Sequence, residues 1–364
     1  MRVLHVLEEL RPSGAERMLE VAAPQWQQHG VVCEILSKGR SRGPAAVVLR
    51  RAGYPIHHVP FDPGWSYPAR LAIFLRRTPF DVVHIHPEHA NFWTAVVSQA
   101  CGARGTVRTV HNSFRFKGGL RTQRRWQRRA LRRMGVITVS IGRSVADNEA
   151  RVFSNTTTVI NNWFDQDRFV PPDHFQRAAA RGRLGLPKSA RIVCSVGNCA
   201  PVKQHLRILN ALAQDGLTDV HYVHAGEEDA DRTERRAAHA VGVLDRCIFL
   251  GPTTEILDAL HASDAFVMPS QYEGLPIAAL EALSTGMPCV FTNVPGLSDL
   301  ATLNAPIVWA PDSGSIAASI RSALAREHKP GDPAAPEVHA RVSQEFGTAR
   351  GVAAYADLYR RLLD

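Results

Sequence analysis

Short apolar runs alternate along the chain with stretches in which apolar residues recur every three or four positions. Arg2–Leu7 reads as a strand, and a Ser-Gly turn leads into Ala15–His29, where Met18, Leu19, Ala22, Ala23 and Trp26 mark one helix face. Strand-like runs follow at Val31–Leu36, Ile56–Val59, Val82–His86, Gly105–His111 and Val136–Ser140, each trailed by a polar turn and a helical pattern. Residues 169–188, with paired prolines, glycines and mixed charge, read as a linker. Beyond it the plan repeats. Strands are expected at Ile192–Gly197, Val220–Ala225, Cys247–Leu250, Ala265–Met268, Pro288–Thr292 and Ile307–Trp309, and helices at Lys203–Ala213, Arg232–Val241, Glu255–His261 and Pro276–Ser284. A last helical pattern, Gly347–Leu363, carries Val352, Tyr355, Leu358, Tyr359 and Leu362. Strands alternating with helices imply βαβ units, so the fold class is α/β with two doubly wound parallel sheets. Ligands of such sheets bind at the carboxyl ends of the strands.

Composition narrows the picture. With 364 residues, two domains are expected, and 45% apolar and 21% charged residues exclude disorder and fibre. No apolar run is long enough to span a membrane. The N-terminus is too short in apolar residues and too acidic for a secretory leader, so a cytoplasmic location is expected. Six cysteines form no CxxC pair and none falls into a zinc spacing with histidine. Reduced, buried thiols are therefore expected, and neither a structural nor a catalytic metal.

Charge is distributed unevenly. Residues 1–170 hold 25 Lys/Arg and 12 Asp/Glu, whereas the remainder holds 18 and 22. No acid lies between Glu88 and Asp147. Within that gap, the segment from Arg104 to Arg133 includes a basic amphipathic helix with Leu120, Trp126, Leu131 and Met134 on a thin apolar stripe. Such a face is either merely solvated or docks on an anionic membrane or acceptor. Nucleic acid is not expected as a partner, because Trp126 is a lone aromatic and offers no stacking platform.

Residues 270–290, SQYEGLPIAALEALSTGMPCV, carry the strongest chemical signal. Pro276 suits the first position of a helix and Gly286 its end. The helix would thus start just after Glu273, Gly274 and Leu275, with its amides available to an anion. Glu273 and Glu281 make poor phosphate ligands but good acceptors for the paired hydroxyls of a sugar. SVGNCAPVKQ has the layout of a phosphate cradle, a strand, then Gly197 and Asn198, then Lys203 opening a helix, with the ammonium placed to offset a diphosphate. RPSGAE places Gly14 between the first strand and helix, without the three glycines of a dinucleotide fingerprint. Among the 16 histidines, His111 ends a strand beside Asn112 and Ser113 and is a candidate site residue. Of His84 and His86, only one is expected to face the ligand edge, and His84 is expected to be a satisfied core residue.

With these motifs assembled, the chain resembles, over nearly its whole length, a retaining glycosyltransferase of the GT-B fold, nucleotide-sugar-dependent family four. The segments that carry the resemblance are SGAE, VINNWFDQDRF, VGNCAPVK, HAGEEDADR with IFLGP, and PSQYEGLPIAALEALSTGMP. It implies two Rossmann-like domains facing across a cleft, residues 1–168 for the acceptor and 189–346 for the nucleotide-sugar donor. Residues 169–188 would link them, and a helix at 347–364 would pack back on the first. It implies that Glu273, with the backbone of Gly274, Leu275 and Pro276, holds the donor sugar, and that Glu281 holds the ribose. Lys203 would contact the diphosphate along the turn of Gly197 and Asn198, and His111 would sit beside the transferred sugar. Gly14 would give backbone room, and Gly226 and Leu250 would line the base. The implied reaction moves a hexosyl-type sugar, most simply from a UDP-sugar, with no metal and no other cofactor. An acceptor in envelope or exopolysaccharide assembly is expected, lipid-linked or anionic, with the enzyme peripheral on the inner membrane face. A soluble natural-product acceptor, a nucleotide-sugar epimerase and a non-catalytic scaffold are the alternatives. Asn198 replaces the family's usual arginine, Gln204 the glycine after the lysine, and Asp299 a glutamate.

Overall fold

The computed structural model describes residues 1–62, 64–253, 255–326 and 330–364. The chain divides into two compact units, Met1–Phe164 with Thr348–Asp364, and Asp165–Gly347. The first contains β1 (Arg2–Leu7), α1 (Gly14–Gln28), β2 (Val32–Ser37), α2 (Ala46–Arg51), β3 (Ile56–His58), α3 (Ser66–Arg77), β4 (Val82–Ile85) and α4 (Asn91–Ala100). It continues with β5 (Gly105–Val110), α5 (Gly118–Arg133), β6 (Ile137–Ser140), α6 (Arg143–Phe153) and the short β7 (Thr158–Val159). The second contains α7 (His174–Arg183), β8 (Arg191–Val196), α8 (Leu206–Leu212), β9 (Val220–Ala225), α9 (Thr233–Ala240), β10 (Cys247–Phe249), α10 (Ile256–Ala262) and β11 (Ala265–Met268). It ends with α11 (Ile277–Ser284), β12 (Cys289–Thr292), β13 (Ile307–Ala310), α12 (Ile316–Leu324) and α13 (Ala335–Phe346), after which α14 (Thr348–Arg361) returns to the first unit.

Both sheets are parallel throughout, in the orders β3-β2-β1-β4-β5-β6-β7 and β10-β9-β8-β11-β12-β13. Their central strands are buried on both faces, which is why they read as continuous apolar runs rather than as alternations. In the first unit Leu4, Val6, Val83 and Ile85 pack with Tyr67, Leu71 and Leu131 from the helices. In the second, Val193, Tyr222, Val267 and Val290 pack with Ile208, Leu212 and Ile320. The strand order reverses between β1 and β4 and again between β8 and β11, and ligand crevices of doubly wound sheets open at such points.

Two segments depart from expectation. Residues 169–188 are not an irregular linker, since α7 lies inside them. Asp173 caps it by accepting from the Gln176 amide at 2.7 Å, and the Gln176 side chain returns a bond to the Asp173 amide at 2.9 Å. The mixed charge that suggested a linker is docking charge. Arg181 pairs with Asp264 at 3.1 Å and Arg183 with Asp258 at 2.6 Å. Lys203, expected to open a helix, instead closes the 3₁₀ turn Pro201–Lys203. Gln204 stands at φ 57°, a left-handed conformation that breaks the turn before α8 begins at Leu206.

The packing of α14 in the first unit depends on a residue with no side chain. A Cβ on Gly351 would stand 2.2 Å from Trp163 Cε3, and the buried Trp163 is held by its indole N–H to the Met18 carbonyl at 2.9 Å. Gly351→Ala is expected to destabilise the protein by about 1–3 kcal/mol through overpacking, read as a lowered midpoint in denaturant unfolding.

Candidate active site

The site in the second unit grows from the two strands that flank its switch point. At the end of β8 the chain turns at Gly197, φ 150°, into Asn198 and on to Lys203. The turn is pressed against the end of β9, where a Cβ on Gly226 would fall 2.0 Å from the Gly197 carbonyl oxygen. Only glycine fits at Gly226, and the Asn198 side-chain oxygen fastens the same contact by accepting from the Glu227 amide at 3.1 Å. Leu250 continues the edge beyond β10, its amide donating to the His224 carbonyl at 2.8 Å. The Lys203 side chain folds back over Gly197.

The loop after β11 supplies the counter-charge. Lys203 Nζ donates to Glu273 Oε1 at 2.8 Å, and the Ser270 hydroxyl donates to the same oxygen at 2.6 Å. The Gln271 amide bonds the Val202 carbonyl at 2.9 Å, and the Glu273 amide bonds Pro295 O at 3.0 Å. Gly296, at φ 88°, lies so close that a Cβ there would meet the Gly274 carbonyl at 2.4 Å. Three loops are thereby knitted into one surface at the carboxyl edge of the sheet. Leu275 is buried, and Pro276 stands one residue before the helix rather than on its first turn, which begins at Ile277. The first amides of α11 point out of its N-terminus, as in any α-helix. Glu281 lies on the second turn and is buried.

The structure thus brings together Gly197, Asn198, Lys203, Gly226 and Glu273–Pro276, with Leu250 and Glu281 in the same unit. His111 and Gly14 belong to the first unit. Gly14 is the exposed first residue of α1, after Ser13, whose hydroxyl bonds the Glu16 carboxylate. His111 joins a group at the other switch point that the sequence did not reveal. His5 Nδ1 lies 3.0 Å from His86 Nε2, and His86 Nδ1 lies 3.0 Å from His111 Nε2. These rings border a cavity that Met18, Trp26, Trp163, Tyr355 and Tyr359 also line. His84 is the satisfied core residue expected, 2.6 Å from the Tyr359 hydroxyl and 2.7 Å from that of Thr109. The expectation that only one of His84 and His86 faces this edge fails. Residues two apart on a strand share a face, and the two rings stack at 4.1 Å.

The arginine-rich helix is also more than a solvated face. Arg128 is buried, bonding Glu149 at 2.8 Å and Glu88 at 3.2 Å, and Arg108 from β5 pairs with both acids. The acids lie outside the acid-free gap, so the pairing is invisible along the chain. Arg121, Arg125, Arg129, Arg132 and Arg133 remain exposed. Nor is Trp126 alone. It is exposed at 61%, packs 5.5 Å from Phe92, and extends a patch containing the exposed Trp65 and Trp93. No helix among the described residues is long and apolar enough to cross a membrane.

Two family models match the chain. Glycosyltransferase Family 4 matches residues 12–168 and Glycosyl transferases group 1 matches residues 176–335. The chain belongs to the family-four glycosyltransferases of the GT-B fold. EpsF of Bacillus subtilis, named as a glycosyltransferase, is 25% identical over 88% of both chains. The Escherichia coli UDP-Gal:alpha-D-GlcNAc-diphosphoundecaprenol alpha-1,3-galactosyltransferase is 26% identical over 61% of this chain and 60% of its own length. The crystal structure of Anabaena Alr3699/HepE with UDP-glucose superposes with a TM-score of 0.84 at 18% identity, covering 99% of this chain and 100% of that one, which shows the shared fold.

Burial holds the His5 imidazole down to about 3, and burial together with the Arg108 charge holds His111 at about 4, against an ordinary 6.5. The unfolded chain therefore takes up protons below pH 6.5 that the folded unit refuses. The stability that these groups lend is complete above pH 6.5 and drains away as pH falls toward 4 and then 3. Thermal unfolding followed by circular dichroism should show a falling midpoint between pH 6.5 and 4, and His5→Gln should flatten that slope.

Proposed function

We propose that this glycosyltransferase is a retaining enzyme that moves a hexosyl-type sugar from a UDP-sugar to an acceptor hydroxyl, with no metal ion in the chemical step. The observation that carries the reading is the Lys203–Glu273 pair at the β8–β11 switch point, a cation for a diphosphate beside a carboxylate for hydroxyls. In this reading Glu273 and the Gly274–Pro276 backbone grip the donor sugar, and Glu281 grips the ribose. Gly197, Gly226 and Leu250 shape the floor for phosphate and base, and in the first unit His111 and Gly14 are the residues this reading assigns to the transferred sugar and the acceptor. The acceptor hydroxyl attacks the anomeric carbon on the face that the diphosphate leaves, and the departing phosphate takes the proton. Lys203 and the amides at the start of α11 stabilise the charge that grows on the leaving group. The Asn198 oxygen is committed to the Glu227 amide, so Lys203 carries a larger share of that charge than where an arginine stands nearby.

UDP is favoured as the carrier because the Escherichia coli relative is named for UDP-Gal and the Anabaena protein was crystallised with UDP-glucose. A lipid-linked or anionic acceptor is favoured by the exposed arginines and tryptophans of the first unit, and the Escherichia coli relative is named for a diphosphoundecaprenol acceptor. These observations support a location at the inner face of a membrane, in envelope or exopolysaccharide assembly.

A thermal-shift screen against UDP, GDP, ADP and TDP tests the donor. UDP at a hundredfold excess over its Kd should add about 2.7 kcal/mol of stability, and Glu281→Ala should remove the shift. Lys203→Ala should lower kcat about 10²–10³-fold once an acceptor is found, and the product's anomeric configuration by NMR should match the donor's. Absence of any nucleotide shift would turn the assignment toward a non-catalytic scaffold. Conversion of a UDP-sugar without acceptor would turn it toward an epimerase. Co-sedimentation tests the surface. Binding to anionic vesicles at low salt, weakened by Trp126→Ala and by Arg125→Glu, is expected, and no binding would direct the acceptor search to soluble natural products.

A further inference from the structure

Behind the turn that carries Lys203 lies a second group of polar side chains that sugar transfer does not use. Cys199 comes from the turn itself, His205 from the residue before α8, His224 from β9 and Glu234 from the first turn of α9. One ligand-type atom of each lies within 4.8 Å of the other three. Cys199 Sγ is 3.4 Å from His224 Nε2, His205 Nδ1 is 3.0 Å from Glu234 Oε1, and His224 Nε2 is 3.9 Å from Glu234 Oε2. The Cys199 thiol donates to the Glu234 carboxylate. Tetrahedral zinc, with bonds of about 2.0–2.3 Å to nitrogen, oxygen and sulfur, sets its ligands about 3.3–3.6 Å apart. The separations of 3.0, 3.4 and 3.9 Å, taken to one or the other oxygen of Glu234, bracket that spacing.

The surroundings fit an ion as well. His205, His224 and Glu234 are buried, while Cys199 is only partly so and gives a route in from solvent. The second ring nitrogen of His224, Nδ1, is held 2.9 Å from the Ser195 hydroxyl, which in turn bonds the Tyr222 hydroxyl. A histidine that ligates a metal is ordinarily oriented in this way, its free nitrogen aimed at the ion. A thiolate and a carboxylate would balance a divalent charge. Thiolate and imidazole ligands select against Mg²⁺ and Ca²⁺ and for the borderline-soft transition metals.

We propose that Cys199, His205, His224 and Glu234 form a binding site for a divalent transition-metal ion, Zn²⁺ foremost, that ties the Lys203 turn to β9 and α9. All four positions of a tetrahedron are filled by the protein, so the ion is a structural staple with no open position for substrate. Binding displaces one proton, that of the Cys199 thiol, to solvent and forms four coordinate bonds. The ligands are separated by five, eighteen and nine residues and come from four different elements, a spacing that matches no zinc motif.

Chelator-treated full-length protein titrated with Co²⁺ tests the site. One equivalent should bind with the visible absorption of a tetrahedral ion and a thiolate-to-cobalt charge-transfer band, and Zn²⁺ should displace it. Cys199→Ala should abolish the charge-transfer band, Cys247→Ala should leave it intact, and Ser195→Ala should weaken Zn²⁺ binding about 10–100-fold. Circular dichroism of each variant separates lost binding from lost fold, and Ser195→Ala, which spares all four ligands, decides the matter if Cys199→Ala does not fold. No charge-transfer band in the native chain, or one indifferent to Cys199, would overturn the proposal and leave a metal-free hydrogen-bonded cluster.

Discussion

A ladder of parallel strands delivers every chain exit to the same edge of the sheet, and the chemistry of this protein is arranged around that constraint. Each strand must be followed by a crossover, so turns collect at the carboxyl edge while helices cover the faces. The reversal of strand order parts two neighbouring crossovers and opens the edge at one place in each unit. Lys203 and Glu273 meet at one opening and His5, His86 and His111 at the other. Residues seventy positions apart become neighbours there because the two strands that carry them are adjacent.

Close approach of backbone to backbone is the second determinant. Gly226 lets the end of β9 touch the Gly197 turn, and Gly296 lets the loop after β12 touch Glu273 and Gly274. The ion pair is therefore held by loops that brace each other, which leaves the lysine ammonium little freedom to wander from its position above the turn. In the first unit the excess of arginine is handled differently. Glu88 and Glu149 draw Arg108 and Arg128 inward, and the charge left outside is concentrated on one face of α5.

Much of the architecture was legible along the chain because period carries it. The apolar runs that became β4, β11 and β12 are short and bounded by turn residues, and the Pro276–Gly286 punctuation located α11 to within one residue. Residues 270–276 and 195–203 announced a site since they are contiguous. What stayed hidden depends on contacts between elements. The helix α7 was masked by prolines before it and glycines within and after it, although Asp173 and Gln176 form its cap. Gln204 gave no sign that it would turn left-handed and part Lys203 from α8. The histidine group, the Glu88–Arg108–Arg128–Glu149 network and the Cys199 cluster each draw on three or more elements, and no spacing along one segment reports such a meeting.

The tryptophans have an optical consequence. Of the six, only Trp309 lies in the unit that holds Lys203 and Glu273. Trp26 and Trp163 are buried and hydrogen-bonded, whereas Trp65, Trp93 and Trp126 stand in solvent. Intrinsic emission from this protein is thus a report on the first unit, with a blue-shifted interior component and a red-shifted, quencher-accessible one. Nucleotide arriving at the second unit has a single tryptophan in that unit to register it, while anything that covers the aromatic face would alter half of the chain's tryptophans at once.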